Sequence, residues 1–176
     1  VPAAGRSPAF IRGVHAGLTA GRRGSGRTAF ALDQPPYPAL TYLLDTNVVS
    51  ELARPKPASA VLQWLDQAPY QAIHLSVLTQ GELRHGIERL PEGARKERLR
   101  AWLERDVPAW FGERLLPVDS AVADRWGRLA AGSRRPLPTI DSLLAATALH
   151  HGLRLVTRNV TDFQFAGLTV INPWGP

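Results

Sequence analysis

Between residues 42 and 174 the chain alternates short apolar runs with stretches of helical periodicity, and that alternation limits its fold more than any other feature. The runs are YLLD (42–45), AIHLSVL (72–78), RLLPVD (114–119), LRLVTRN (153–159) and LTVINPW (168–174). The first, YLLD, reads as a short buried strand. Between them lie TNVVSELA (46–53), stopped by Pro55 and Pro57; ASAVLQWLDQ (58–67), with Val61, Leu62 and Leu65 on one face; and TQGELRHGIERL (79–90). A longer helical stretch from Ala94 is expected to break near Pro108, and SAVADRWGRLAAG (120–132) and TIDSLLAATALHHG (139–152) follow, the last closed by Gly152. Strands alternating with helices imply βαβ units, hence an α/β fold with a mainly parallel central sheet of about five strands. In such sheets the functional crevice lies beyond the carboxyl ends of the strands.

The first 39 residues do not share this pattern. They are rich in Gly, Ala, Pro and Arg and show no sustained period of 2 or 3.6. The twin arginines of GRRGSGR (21–27) are not followed by the apolar segment an export signal needs, since Asp33 and three prolines interrupt it. Residues 1–39 are therefore expected to form a flexible tail, and residues 40–176 a single domain. The chain opens on Val and contains no Met, which favours a literally translated GTG codon and a true start nearer Leu40. The net charge of +6 is concentrated in the same leader. Residues 1–40 carry Arg6, Arg12, Arg22, Arg23 and Arg27 against Asp33 alone, so the basic balance says little about the domain. The absence of cysteine excludes disulfides, thiol nucleophiles and Cys-ligated metals, and fits a cytoplasmic protein. No segment is apolar for long enough to suggest a membrane span.

Where the first run ends, it ends on an acid. Asp45 is followed at once by Thr46 and Asn47, at the carboxyl end of the first strand. Three further acids fall where strands hand over to helices: Glu82 near the start of the second helical unit, Asp141 in the first turn of the segment from Thr139, and Asp162 after the fourth strand, three residues beyond Asn159. Each alone has a plain structural role available. Thr79-x-x-Glu82 fits a capping box, Thr139 an N-cap with Asp141 favoured by the helix dipole, and Asp162 a loop. Together they converge on one sheet edge, where carboxylates repel and unpaired burial costs several kcal/mol. No Arg or Lys stands at a fixed spacing to neutralise them. A divalent cation is the economical counter-charge, and oxygen-only ligands suit Mg²⁺ or Mn²⁺ rather than Zn²⁺.

LLDTNVVSEL, GELRHGIERL, TIDSLLAATALHHGLRLVTRN and the ending VINPW, in this order and spacing, resemble PIN-domain ribonucleases of the VapC/FitB toxin type. The likeness runs from about Leu40 to Trp174 and leaves out residues 1–39. It implies an α/β/α nuclease in which Asp45, Glu82 and Asp141 bind Mg²⁺ or Mn²⁺ and Asn47 helps order the site. Cleavage of RNA by metal-activated water then needs no histidine base. His85, His150 and His151 are expected at the surface or at helix ends. Many relatives carry a fourth acid where this chain has Asn159, so Asp162 is the candidate substitute and the number of ions stays open. The resemblance further implies a cognate antitoxin, contact with operator DNA only through the antitoxin complex, and a homodimer. Trp102, Trp110, Phe111 and Trp126 are available for a dimer interface, although filling the core is the expected use of most.

Two aspartyl-phosphate readings also place an acid after the first strand, and both fail. A haloacid-dehalogenase-like site wants a second acid where Asn47 stands, and a receiver wants a late lysine, whereas both lysines, Lys56 and Lys96, come early. The remaining alternative is a PIN-fold nucleic-acid-binding or regulatory module with weak catalysis, which Asn159 favours and the trio of acids opposes.

Overall fold

The computed structural model describes residues 40–54, 56–133 and 136–175; the expected tail and Pro55 lie outside the described residues. Among the described residues five strands form: β1 (Tyr42–Leu44), β2 (Ile73–Ser76), β3 (Leu115–Leu116), β4 (Arg154–Val156) and β5 (Val170–Ile171). They make one sheet in the order β3-β2-β1-β4-β5, and all four pairings are parallel. The central strand explains the architecture. Leu43 and Leu44 point to opposite faces and neither is exposed, so both faces of β1 must be covered.

Among the described residues seven α-helices supply the cover: α1 (Thr46–Leu52), α2 (Ser59–Gln67), α3 (Val77–Glu88), α4 (Ala94–Ala101), α5 (Val107–Phe111), α6 (Ser120–Ala131) and α7 (Thr139–His150). The result is an α/β/α sandwich. On one face α7 sets Leu144, Ala145 and Ala148 against Leu43, Leu155 and Phe163. The run of alanines lets its backbone approach the sheet closely, and α6 packs along its outer side. Elsewhere α1 packs on α3, and Val48, Val49, Leu52, Leu83 and Ile87 are buried. Each fully buried leucine contributes about 2 kcal/mol of apolar transfer.

The register fixes the functional edge. Leu44 stands beside Leu75 on one side and Val156 on the other. The next residues along, Asp45, Ser76 and Thr157, therefore come level at the carboxyl edge. Asp45 N–H still belongs to the ladder, donating to Val156 O at 3.0 Å.

Several local expectations are corrected. The Thr79–Glu82 capping box does not form, because α3 begins at Val77 and Ser76 Oγ caps it by accepting from Leu78 N. Thr79 is buried and donates instead to Leu44 O at 3.2 Å, which moves Glu82 into the second turn. Thr139 is the first residue of α7 and not its cap; Pro138 precedes it without a side-chain bond. The chain is not broken at Pro108. A π-helical turn (Trp102–Asp106) joins α4 to α5, with Val107 N–H reaching back to Trp102 O. That widening carries the helix past a proline that has no N–H for Glu104 and whose ring would crowd its carbonyl. Of the aromatic candidates for an interface, Phe111 is buried and Trp102, Trp110 and Trp126 are half-buried. Trp126 spends its indole N–H on Ser142 Oγ, 2.9 Å away.

Candidate active site

Asp45 is held at the junction of β1 and α1 by two demands at once. Its backbone extends the sheet, and its side chain caps α1, with Oδ1 accepting from Thr46 N at 2.6 Å. The other oxygen, Oδ2, accepts from Asn47 Nδ2 and from Thr157 Oγ1, each at 2.6 Å. Only 7% of the residue is exposed. Burial pushes its carboxyl above the usual aspartate range, Glu82 adds like-charge repulsion, and the three donors offset only part of this.

Thr157 is the hub of these bonds. Its hydroxyl donates to Asp45 and accepts from Asn47 Nδ2 at 2.9 Å and from Asn159 N at 3.0 Å, which uses its one proton and both lone pairs. Asn47 in turn accepts Arg158 N–H on Oδ1 at 3.2 Å. The end of β4 is thus fastened to the end of β1 with no cation involved: among the described residues the only partners of the Asp45 carboxylate are neutral donors. Glu82 comes from α3, where Thr46 Oγ1 donates to its Oε2. Asp141 opens α7, half-buried. Its carboxyl is raised by burial and by the negative charges of Asp45 and Asp162, which puts all three acids in one electrostatic neighbourhood. Asp162 lies exposed in a 3-10 turn (Val160–Phe163), its N–H bonded to Asn159 O at 3.1 Å.

Sequence reasoning placed Asp45, Asn47, Glu82, Asp141 and Asp162 at one edge, and the structure brings them there. Asn159 differs. Its backbone N–H enters the network, while its exposed side chain makes no hydrogen bond among the described residues. Two residues were overlooked, Thr46 and Thr157. A signal for Thr157 existed: it is the first polar residue after the apolar run of β4, the register partner that a parallel sheet sets beside Asp45.

Among the described residues none of the four carboxylates has an Arg, Lys or His within ion-pair distance. Nor do three acids or imidazoles already close around one point tightly enough to hold a metal ion by themselves. The donor set nevertheless fits Mg²⁺ or Mn²⁺. It consists of hard oxygens carrying uncompensated, partly desolvated negative charge, and Mg²⁺ is typically held by one or two carboxylates with water and substrate phosphate completing its shell. His150 and His85 stand apart. His150 closes the helix that Asp141 opens, about 14 Å away at 1.5 Å per residue, and His85 is exposed on α3.

Comparison with known proteins agrees with the fold. The family model described as PIN domain matches residues 42–164. The plasmid stability protein StbB of Pseudomonas syringae pv. tomato is 41% identical over 135 residues, covering 75% of this chain and 97% of that protein. A VapC ribonuclease of Sinorhizobium fredii is 37% identical, covering 76% and 98%. The crystal structure of FitAcB from Neisseria gonorrhoeae superposes with a TM-score of 0.71 at 37% identity, covering 77% of this chain and all of that one. The chain belongs to the PIN-domain family, within its VapC/FitB group.

Proposed function

We propose that the protein is a Mg²⁺- or Mn²⁺-dependent endoribonuclease and the toxin of a type II toxin–antitoxin pair. One observation carries the reading: Asp45, Glu82, Asp141 and Asp162 gather at the carboxyl edge with no cation within ion-pair distance among the described residues, braced only by neutral hydroxyls and amides. Asp45, Glu82 and Asp141 would hold the ion. The chemistry it supplies when bound is a more acidic water and neutralisation of charge growing on the phosphate.

The protein's own residues prepare the site. Thr157 and Asn47 fix the direction of the Asp45 carboxylate, and Thr46 fixes that of Glu82. Asp141 completes the trio, while Asp162 and Asn159 line the outer rim. No side-chain base is called for.

The relatives extend the reading. Those named VapC ribonuclease and toxin FitB support RNA as the substrate and a toxin role. A neighbour described as FitAB bound to the IR36 DNA fragment, at 34% identity and a TM-score of 0.70, supports a cognate antitoxin and operator contact through the complex. A homodimer and a cytoplasmic location belong to the same proposal; no helix among the described residues is long and apolar enough to cross a membrane. The competing module with weak catalysis draws on Asn159, whose neutral side chain stays outside the network.

Cleavage of structured RNA by the purified protein, with and without EDTA, tests the proposal. Mg²⁺-dependent cleavage that is lost in Asp45→Asn is expected. Equal cleavage by both proteins, or none by the wild type at saturating Mg²⁺ and Mn²⁺, rejects it. The 5′ ends of fragments formed after induction would name the target.

A further inference from the structure

An anionic crevice that must admit a polyanion poses an electrostatic problem, and one residue at its edge answers it. Within the strand-end segments 45–47, 76–79, 157–159 and 172–175 the single cation is Arg158. It is exposed and directly follows Thr157, and its backbone N–H is tied to Asn47 Oδ1 at 3.2 Å. Among the described residues its guanidinium has no carboxylate partner. It lies instead over the ring of Trp174, 5.5 Å from the centroid. A ring contact of this kind uses none of the guanidinium's N–H donors as hydrogen bonds.

Trp174 is held where it is. It lies just past β5, the edge strand beside β4, and Thr157 N–H bonds Ile171 O at 2.9 Å. The turn that follows is closed on both sides by Asn172, whose Oδ1 accepts Trp174 N at 3.0 Å and whose Nδ2 donates to Gly175 O at 2.9 Å. Gly175 takes a φ of +100°, which a side chain would disfavour. Pro173 is buried and Trp174 is half-buried, so part of the indole faces solvent. Moving along the edge from β1 to β4 to β5, one meets Asp45, then Arg158, then Trp174. The strands that carry the first and the last, β1 and β5, lie two inter-strand spacings apart, about 10 Å.

Resting on the nuclease reading above, we infer that Arg158 and Trp174 form the contact for one unpaired nucleotide next to the scissile phosphodiester. The guanidinium takes a phosphate oxygen and the indole takes the base. Charge favours RNA over a protein partner here, because an arginine left without a carboxylate beside four acids suits a ligand that brings its own anion. An indole stacks on any base that has left its duplex and reads no sequence. The pair would therefore raise affinity for single-stranded segments without specifying their sequence.

The test uses the full chain and two probes. Anisotropy of a fluorescein-labelled poly(U) oligonucleotide in EDTA reports binding, and Mg²⁺-dependent cleavage of bulk tRNA gives kcat and KM. Arg158→Gln should weaken poly(U) binding about tenfold and flatten its log–log salt dependence by about one unit. Trp174→Leu should weaken it about tenfold with the salt slope kept, and Trp174→Phe should restore most of the loss. In cleavage, KM should rise while kcat stays within about twofold, because neither side chain touches the reacting atoms. Both variants binding poly(U) and turning over tRNA as the wild type does would overturn the inference. Arg158 is exposed, so its variant tests the claim even where Trp174→Leu unfolds. A wild type that cleaves no RNA refutes the nuclease reading instead, and the binding arm alone then decides the role of the pair.

Discussion

Replacing Thr157 by valine removes one oxygen and keeps the shape. In the native site that oxygen serves Asp45 Oδ2, Asn47 Nδ2 and Asn159 N. Asn47 retains its bond to Asp45, and Asn159 is exposed, so water can replace what its N–H loses. The uncompensated loss is the bond to a buried carboxylate, worth about 1.5–3 kcal/mol. For a chain of this size that is a drop of about 4–10 °C in melting temperature. Thr157→Ser keeps the hydroxyl and forfeits only a buried methyl, about 1 kcal/mol. The pH dependence separates the two causes. Asp45 already titrates above its ordinary value because burial opposes its charge, and Thr157 pulls it part of the way back. Valine therefore raises it further. Its cost is present where Asp45 is ionised in the fold and fades as pH falls through the folded-state pKa. The serine cost, being apolar, does not change. Activity of the valine variant should fall by 10- to 100-fold, about the effect of losing a group that orients a metal ligand, with the acid limb of its profile moved to higher pH. Melts of metal-free protein across the acid range and pH–rate profiles make the comparison. Valine and serine variants with equal melting temperatures at every pH would refute the reasoning.

Asp45→Asn should abolish cleavage and, in metal-free protein, melt no lower than wild type at neutral pH, since it removes a carboxylate raised by burial and by Glu82. A raised acid stabilises the fold when protonated and loses that contribution as pH rises through its folded pKa, so the variant's advantage should vanish in acid; an advantage that grows in acid contradicts this. Deleting residues 1–39, which lack any core-forming pattern, should shift the melting temperature by no more than a few degrees and leave activity unchanged, as calorimetry and RNA cleavage would show. Asn159→Asp adds an anion at the rim and should tighten Mg²⁺ binding in calorimetric titration, whereas Asp162→Ala should raise the metal requirement modestly. Two tight Mg²⁺ sites in the wild type that both survive Asp162→Ala would contradict a single tightly held ion.

The sheet was legible because each strand is an apolar run between helical periods, and parallel pairing follows from that alternation. Strand lengths were not legible. β3 and β5 shrink to Leu115–Leu116 and Val170–Ile171 because edge strands pair on one side only. The T-x-x-E pattern at Thr79 satisfied a local rule and lost to a bond with Leu44 O, which lies 35 residues away in sequence. The acids were visible because strand ends in a parallel sheet share an edge. The residue that braces the first of them was not, since Thr157 is 112 positions from Asp45 and only the β1–β4 register joins them. Arg158 and Trp174 were invisible as a pair for the same reason: their meeting depends on the β4–β5 register and on the turn that Asn172 closes.

A carboxylate at the end of a buried strand gains nothing from the core, so its retention must be judged by what surrounds it. A structural acid in such a place is usually quenched by an arginine, which lowers its pKa and extinguishes the local field. Glu51 of this chain, on α1, is a buried acid with an arginine partner: it is 3% exposed and paired with Arg54 at 3.2 Å. Asp45 is treated differently. Its partners are an amide N–H, a carboxamide and a hydroxyl, which orient the group and ease its burial while leaving its charge uncancelled. Asp141 receives still less, and its carboxyl is raised by burial and by the negative charges of Asp45 and Asp162. One domain thus quenches one buried acid and withholds the same remedy from those at the sheet edge. Fold stability alone favours the first solution at both places. The second makes sense where the missing positive charge is to come from outside the chain, and where an exposed arginine at the rim, too far out to neutralise the acids, can still greet an anionic substrate.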